Sequence, residues 1–137
     1  MAETFSHKLE VRFRDCDAMG HVNNAVYLTY LEQARLAYWR SVWGSNYELM
    51  PEGMPGTILA RAEIDYRKPA KYADVLEIRM ALEKIGRSSI ASTYEVVDQT
   101  GAVVATARTV LVMFDYQSNK PVPVPDDLRS LLSRTTS

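Results

Sequence analysis

Residues 24–43 read "NAVYLTYLEQARLAYWRSVW". This is the one stretch with the length and composition of a long helix. Its few polar residues are Thr29, Glu32, Gln33, Arg35, Arg40 and Ser41. Wound at about 100° per residue, Thr29, Glu32, Gln33 and Arg40 fall in a narrow sector. The rest of the circumference is Ala, Val, Leu, Tyr and Trp. A helix that is apolar around most of its surface must be covered on more than one side.

The flanking sequence supplies the cover. Upstream, "FSHKLEVRFR" at 5–14 alternates, with Phe5, His7, Leu9, Val11 and Phe13 on one face and charged or polar residues on the other. Period two over that length is a half-buried strand. His7 lies on the apolar face and is given no functional role. Downstream, "GSNYELMPEGMPG" at 44–56 breaks the helical pattern with glycine and proline and reads as a loop. Period two then returns four times. "TILARAEIDYRKPA" turns Ile58, Ala60, Ala62, Ile64 and Tyr66 inward, and Pro69 closes it. "DVLEIRMALEKI" turns Leu76, Ile78, Met80 and Leu82 inward. "RSSIASTYEVV" and "AVVATARTVLVMFD" follow across "KIGR" and "DQTG", short glycine-containing joins that suit antiparallel hairpins. A polar, proline-rich tail runs over about 118–137, with "DDLRSLL" as one short helix capped by Asp126.

The order is strand, long helix, four strands. The class is α+β, and the arrangement predicted is a curled five-stranded antiparallel sheet wrapped around one helix. So small a sheet leaves edges exposed, which favours a homo-oligomer. The 137 residues read as a single domain over 1–137. The formal net charge of −1 gives no field for nucleic acid or an anionic membrane. One cysteine permits no intramolecular disulfide, and neither a signal peptide nor a membrane span is legible, so a cytoplasmic location is expected.

Between the first strand and the helix stands "RFRDCDAMGHVNN", residues 12–24. Two readings compete. In the structural one, Asp15 and Asp17 bond turn backbone, and Asn23 or Asn24 caps the helix. In the chemical one, a carboxylate sits just upstream of a helix N-terminus, where free N–H groups favour developing negative charge. A carbonyl held there would be stabilised as an oxyanion while the carboxylate activates water or attacks directly. Gly20 would let the backbone approach a ligand closely. Cys16 is a weaker candidate, having no cationic neighbour to favour its thiolate. A metal on Asp15, Asp17 and His21 lacks a completed ligand shell, so no metal and no cofactor is expected.

"VRFRDCDAMGHVNNAVYLTYLEQAR", residues 11–35, resembles the 4-hydroxybenzoyl-CoA thioesterase family of hotdog-fold acyl-CoA thioesterases. The pattern is Asp-x-Asp, then Gly-His-Val-Asn-Asn, then Tyr and Glu-x-Ala-Arg on the helix. The resemblance implies a hotdog fold, a homodimer or homotetramer sharing a continuous sheet, and sites at the subunit interface. It places the catalytic carboxylate on Asp17 and the oxyanion donor on the backbone N–H of Asn24 or its neighbour. Gly20, His21 and Asn23 match the family motif. Glu32 matches a helix glutamate, the runner-up for the catalytic carboxylate, and is read first as an ion-pair partner of an arginine.

The resemblance also implies coenzyme A as part of the substrate rather than a separate cofactor. Its phosphates need cations. Lys84, Arg87, Ser88 and Ser89 surround the turn placed near the CoA entrance. Tyr66, Arg67, Lys68 and Lys71 are the second choice. Pocket walls are expected from Tyr27, Tyr30, Leu31, Met54 and Ile58. The leading function is acyl-CoA thioester hydrolysis. The alternatives are a hotdog hydratase or dehydratase, and a non-enzymatic acyl-ligand-binding module.

Overall fold

The computed structural model describes residues 4–43 and 56–133. The elements in chain order are β1 (Phe5–Glu10), a 3-10 turn (Phe13–Asp15), α1 (Val26–Trp43), β2 (Gly56–Tyr66), β3 (Val75–Ile85), β4 (Ser89–Val97), β5 (Val103–Asp115), β6 (Lys120–Pro121) and α2 (Asp126–Ser133). The strands form one antiparallel sheet in the order β1-β3-β4-β5-β2, with β6 beside β5. The sheet therefore has six strands rather than five, the extra one being two residues of the expected tail.

One apolar cluster joins helix to sheet. Tyr27, Tyr30, Leu31, Ala34 and Tyr38 of α1 meet Leu76, Ile78, Met80 and Leu82 of β3, together with Ile90, Tyr94 and Val96 of β4 and Met113 of β5. The inward set expected of β3 is buried throughout. Thr29, Glu32, Gln33 and Arg40 lie exposed, as the helical pattern required. His7 bonds Gln33 through its Nε2 at 3.1 Å, a packing contact between β1 and α1.

Three expectations need correction. First, β1 ends at Glu10, well short of Arg14. Val11 remains buried, but the Asp15 carboxylate takes the Arg12 N–H at 3.0 Å and folds the chain into the 3-10 turn. Phe13 consequently points to solvent. Second, α1 begins at Val26, two residues late, because 23–25 form a turn. The Asn23 side chain accepts the Ala25 N–H at 3.0 Å, and the Asn23 carbonyl accepts the Val26 N–H at 2.9 Å.

Third, the inward face of β2 changes partway along. Its register against β5 slips between Leu59 and Arg61, leaving Ala60 as an extra residue. A one-residue bulge exchanges the faces. Thr57 and Leu59 thus pair with buried Met113 and Leu111, while Ile58 and Ala60 face away. Beyond the bulge, Ala62, Ile64 and Tyr66 pair with Thr109, Ala107 and Ala105 on the core side, as expected. Most of β2 is nonetheless exposed, since it is an edge strand bonded only to β5.

The chain after β5 returns to the body. Val124, Leu128 and Leu132 are buried in the main cluster. Leu128 and Leu132 are four residues apart, so they share one face of α2. Asp126 lies inside the first turn of α2, where Asp126 and Asp127 suit the positive end of the helix. The Val124 N–H donates to the Arg87 carbonyl at 2.7 Å, and the Arg129 guanidinium donates to the Gly86 carbonyl at 2.8 Å.

Candidate active site

The loop between the 3-10 turn and α1 is a small closed hairpin. The Asn23 N–H donates to the Asp15 carbonyl and the Asp17 N–H to the His21 carbonyl, both at 2.9 Å. Cys16 and Val22 pair between these rungs, and His21 pairs on its other side with Lys71. Asp17 to Gly20 make the tip, where the Gly20 N–H reaches the Asp17 carbonyl at 3.0 Å. Gly20 has φ +81, and a Cβ there would meet nothing within 4 Å. The glycine is thus required by the left-handed backbone of the turn rather than by crowding.

The two aspartates have different surroundings. Asp15 is 3% exposed. Its carboxylate accepts the Arg12 N–H at 3.0 Å, the Arg12 guanidinium at 2.9 Å and the Tyr30 hydroxyl at 2.8 Å. Burial pushes its carboxyl up, but the bonds from Arg12 and Tyr30 outweigh burial and hold it below the usual carboxylate range. Burial, followed by the bond to Asp15, pushes the Tyr30 phenol well up. Asp17 is exposed, and its Oδ1 takes the Met19 N–H at 2.9 Å in a local turn. Asp17 Oδ2 accepts no hydrogen bond among the described residues.

A cleft of about 330 Å³ opens beside this loop. Asp17, Met19, His21 and Val22 line it from the loop, Asn24 and Tyr27 from the start of α1, and 66–69 from the end of β2. Tyr66 ties two of these walls together. Its hydroxyl donates to the Asn24 carbonyl at 3.1 Å, and its ring meets Tyr27 edge-on at 5.2 Å. Burial pushes the Tyr27 phenol up. The Lys68 ammonium is bound to buried Asp98 at 2.5 Å. Arg67 makes no ion pair among the described residues.

The cleft therefore gathers Asp17, His21, Asn24, Tyr27, Tyr66 and Arg67. Gly20 and Asn23 shape the loop around it through backbone and turn geometry. Lys84, Arg87, Ser88 and Ser89 lie on the β3–β4 turn and do not line it within one chain. Of the expected pocket walls, Tyr27 lines the cleft, Tyr30 and Leu31 are buried in the core, Ile58 faces away, and Met54 lies outside the described residues. Glu32 and Arg35 share a second cleft of about 190 Å³ with Leu36, Trp39, Thr57, Leu59 and Leu111, yet Glu32 makes no ion pair among the described residues. Buried Arg35 instead reaches the Tyr94 hydroxyl at 3.4 Å. No cluster of three or more His, Cys, Asp or Glu suited to a metal occurs among the described residues, and none of their helices is long and apolar enough to cross a membrane.

Sequence reasoning missed two features. The Asp15–Tyr30 bond spans fifteen residues, and only its two ends, a loop aspartate and a helix tyrosine, were visible. Asp98, which holds Lys68, stands in sequence only as the first residue of the "DQTG" turn.

Residues 11–132 match the Thioesterase-like superfamily, and the chain belongs to it. The match is coarser than the 4-hydroxybenzoyl-CoA thioesterase family that the loop resembles. The long-chain acyl-CoA thioesterase FadM of Escherichia coli K12 is 32% identical over 93% of this chain and 96% of its own. The 1,4-dihydroxy-2-naphthoyl-CoA hydrolase of Synechococcus elongatus is 30% identical over 91% of this chain and 92% of its own. A thioesterase from Thermus thermophilus, solved in complex with coenzyme A and Zn, is 31% identical, covers 95% of this chain and 92% of its own, and superposes with a TM-score of 0.79. The architecture is the hotdog fold, and the chain is a thioester hydrolase.

Proposed function

We propose that this chain, acting as a single thioesterase domain, hydrolyses acyl-CoA or aroyl-CoA to the free acid and CoA, with Asp17 as general base or nucleophile. The observation that carries the reading is the cleft that Asp17 shares with Asn24 at the start of α1. A thioester carbonyl seated there has the Asp17 carboxylate on one side and the Asn24 N–H, just ahead of α1, on the other. In the general-base path, Asp17 takes a proton from water as its oxygen adds to the carbonyl carbon. The Asn24 N–H stabilises the oxyanion, since the N–H groups of Asn23 and Ala25 on either side of it already bond the Asp15 carbonyl and the Asn23 side chain. Collapse breaks the carbon–sulfur bond, and the thiolate of CoA recovers the proton. In the nucleophilic path, Asp17 displaces the thiolate and water then opens the anhydride.

The CoA substrate is supported by the names of the Escherichia coli and Synechococcus relatives and by the Thermus complex. Those names differ in the acyl group, so this reading stops at the CoA thioester. Placement within the 4-hydroxybenzoyl-CoA thioesterase family rests on the loop motif. His21 and Asn23 shape the loop, and Tyr27 and Tyr66 wall the acyl end. Arg67 is the cation at the cleft. Lys84, Arg87, Ser88 and Ser89 form the turn that would read the distal phosphates in the assembled protein.

A homodimer or homotetramer is part of the same proposal. β2 offers an eleven-residue edge with Ile58 and Leu59 exposed, which a second copy would cover. A cytoplasmic site of action follows from the substrate class. A thiol-release assay across a panel of acyl-CoA and aroyl-CoA thioesters tests the activity. Release of CoA from at least one panel member is expected. Hydration of enoyl-CoA without thiol release would replace this reading with a hydratase.

A further inference from the structure

We infer that Asp15 and Tyr30 form a positioning pair that holds the Asp17 loop in register with the start of α1. The inference rests on the proposed role of Asp17. Asp17 and the α1 N-terminus must converge on one carbonyl, yet they sit at opposite ends of a loop whose tip is exposed. The base of that loop is fixed at one residue. The Asp15 carbonyl closes the hairpin through the Asn23 N–H at 2.9 Å, immediately before the α1 turn. The Asp15 carboxylate is bonded to the Tyr30 hydroxyl at 2.8 Å, five residues into α1 from the other side. Arg12 adds its N–H and guanidinium and neutralises the buried charge. One residue thus joins β1's exit and the body of the helix through its side chain and the loop base through its carbonyl.

Asp15 is a positioning residue and not a second base. Its two oxygens carry four hydrogen bonds and only 3% of the residue is exposed, whereas Asp17 faces the cleft. Tyr30 lies 4% exposed beneath the loop and does not line the cleft. Removing its hydroxyl deletes a bond without touching a cleft wall. Small displacements of a reacting group lower turnover steeply, so the effect should fall on kcat rather than on KM.

The test combines Tyr30→Phe, Asp15→Asn and Asp15→Ala with two readouts. In Tyr30→Phe, kcat for the best acyl-CoA should fall about tenfold or more with KM within about twofold. Asp15→Asn, which keeps one acceptor oxygen, should fall less than Asp15→Ala. Amide hydrogen exchange on the substrate-free protein should accelerate at Asp17 and Asn23, whose N–H groups are the hairpin rungs, while core amides of β3 and β4 stay protected. Unchanged exchange at those two amides in Tyr30→Phe overturns the inference whatever the activity. Faster exchange with an unchanged kcat also overturns it. A fully active Asp17→Asn would refute the catalytic reading of Asp17, while the exchange data would still show whether Asp15 and Tyr30 order the loop.

Discussion

The Tyr66 hydroxyl donates to the Asn24 carbonyl at 3.1 Å, so the last residue of β2 is fastened to the segment that opens α1. The same ring stacks edge-on against Tyr27. Two walls of the cleft are therefore joined.

Tyr66→Phe keeps the ring and loses one hydrogen bond. It should cost about 0.5–1 kcal/mol of stability and lower kcat severalfold. Tyr66→Ala also removes the wall and should raise KM. Steady-state kinetics and urea unfolding on both variants check the split. Equal KM in the two variants would show that the ring does not contact substrate.

Stability should fall at acid pH, and the sign follows from Asp15 and Asp98. Both carboxyls are held below the ordinary range, Asp15 by Arg12 and Tyr30 against burial, and Asp98 first by Lys68 and then by Thr100. A depressed folded pKa contributes stability that is fully present above the unfolded value, about pH 4, and is lost as pH falls through the folded value. Urea midpoints measured from pH 7 down to pH 3 should decline steeply at the acid end. Asp15→Asn should start about 2 kcal/mol lower at neutral pH, from its lost charged hydrogen bonds, and decline less steeply. Identical acid slopes for the two proteins would contradict the assignment.

On the proposed reading, phosphate recognition divides between Arg67 at the cleft and Lys84 with Arg87 on the β3–β4 turn. Arg67→Ala should raise KM for acyl-CoA. Lys84→Ala combined with Arg87→Ala should do so with a smaller change in kcat, since distal phosphates contribute mostly uniform binding. Both effects should shrink with a pantetheine thioester that lacks those phosphates. An equal loss on both substrates for the double variant would make the β3–β4 turn purely structural.

Chelation should leave activity intact, because Asp17 and the Asn24 N–H suffice for the proposed steps. The Thermus relative's zinc gives this measurement its interest. Activity lost in EDTA and restored by added zinc would contradict the metal-free account.

Much of this protein was legible because its periods are clean. The apolar girth of α1 required a wrapping sheet, and Leu76, Ile78, Met80 and Leu82 announced a strand whose buried face is the one observed. The faces of β2 were not fully legible, because the bulge at Ala60 is one residue in an otherwise regular alternation and nothing local marks it. Phe13 was misplaced for a related reason. The alternating pattern continues past Glu10, but the Asp15 carboxylate captures the Arg12 N–H and ends the strand. At the site, the loop motif pointed to Asp17, His21 and Asn24, which do share a cleft. What could not be read was the bond from Asp15 to Tyr30, because contacts distant in sequence leave no periodic trace.

In the proposed reaction Asp17 supplies the base or nucleophile. Asp17→Asn keeps the shape of the side chain and its turn acceptor, but it removes the carboxylate. Single-turnover thiol release with saturating enzyme isolates the chemical step from binding and product release. This rate should fall by about 100-fold or more, with substrate affinity and melting temperature near those of the unaltered protein. A rate equal to that of the unaltered protein would contradict that role.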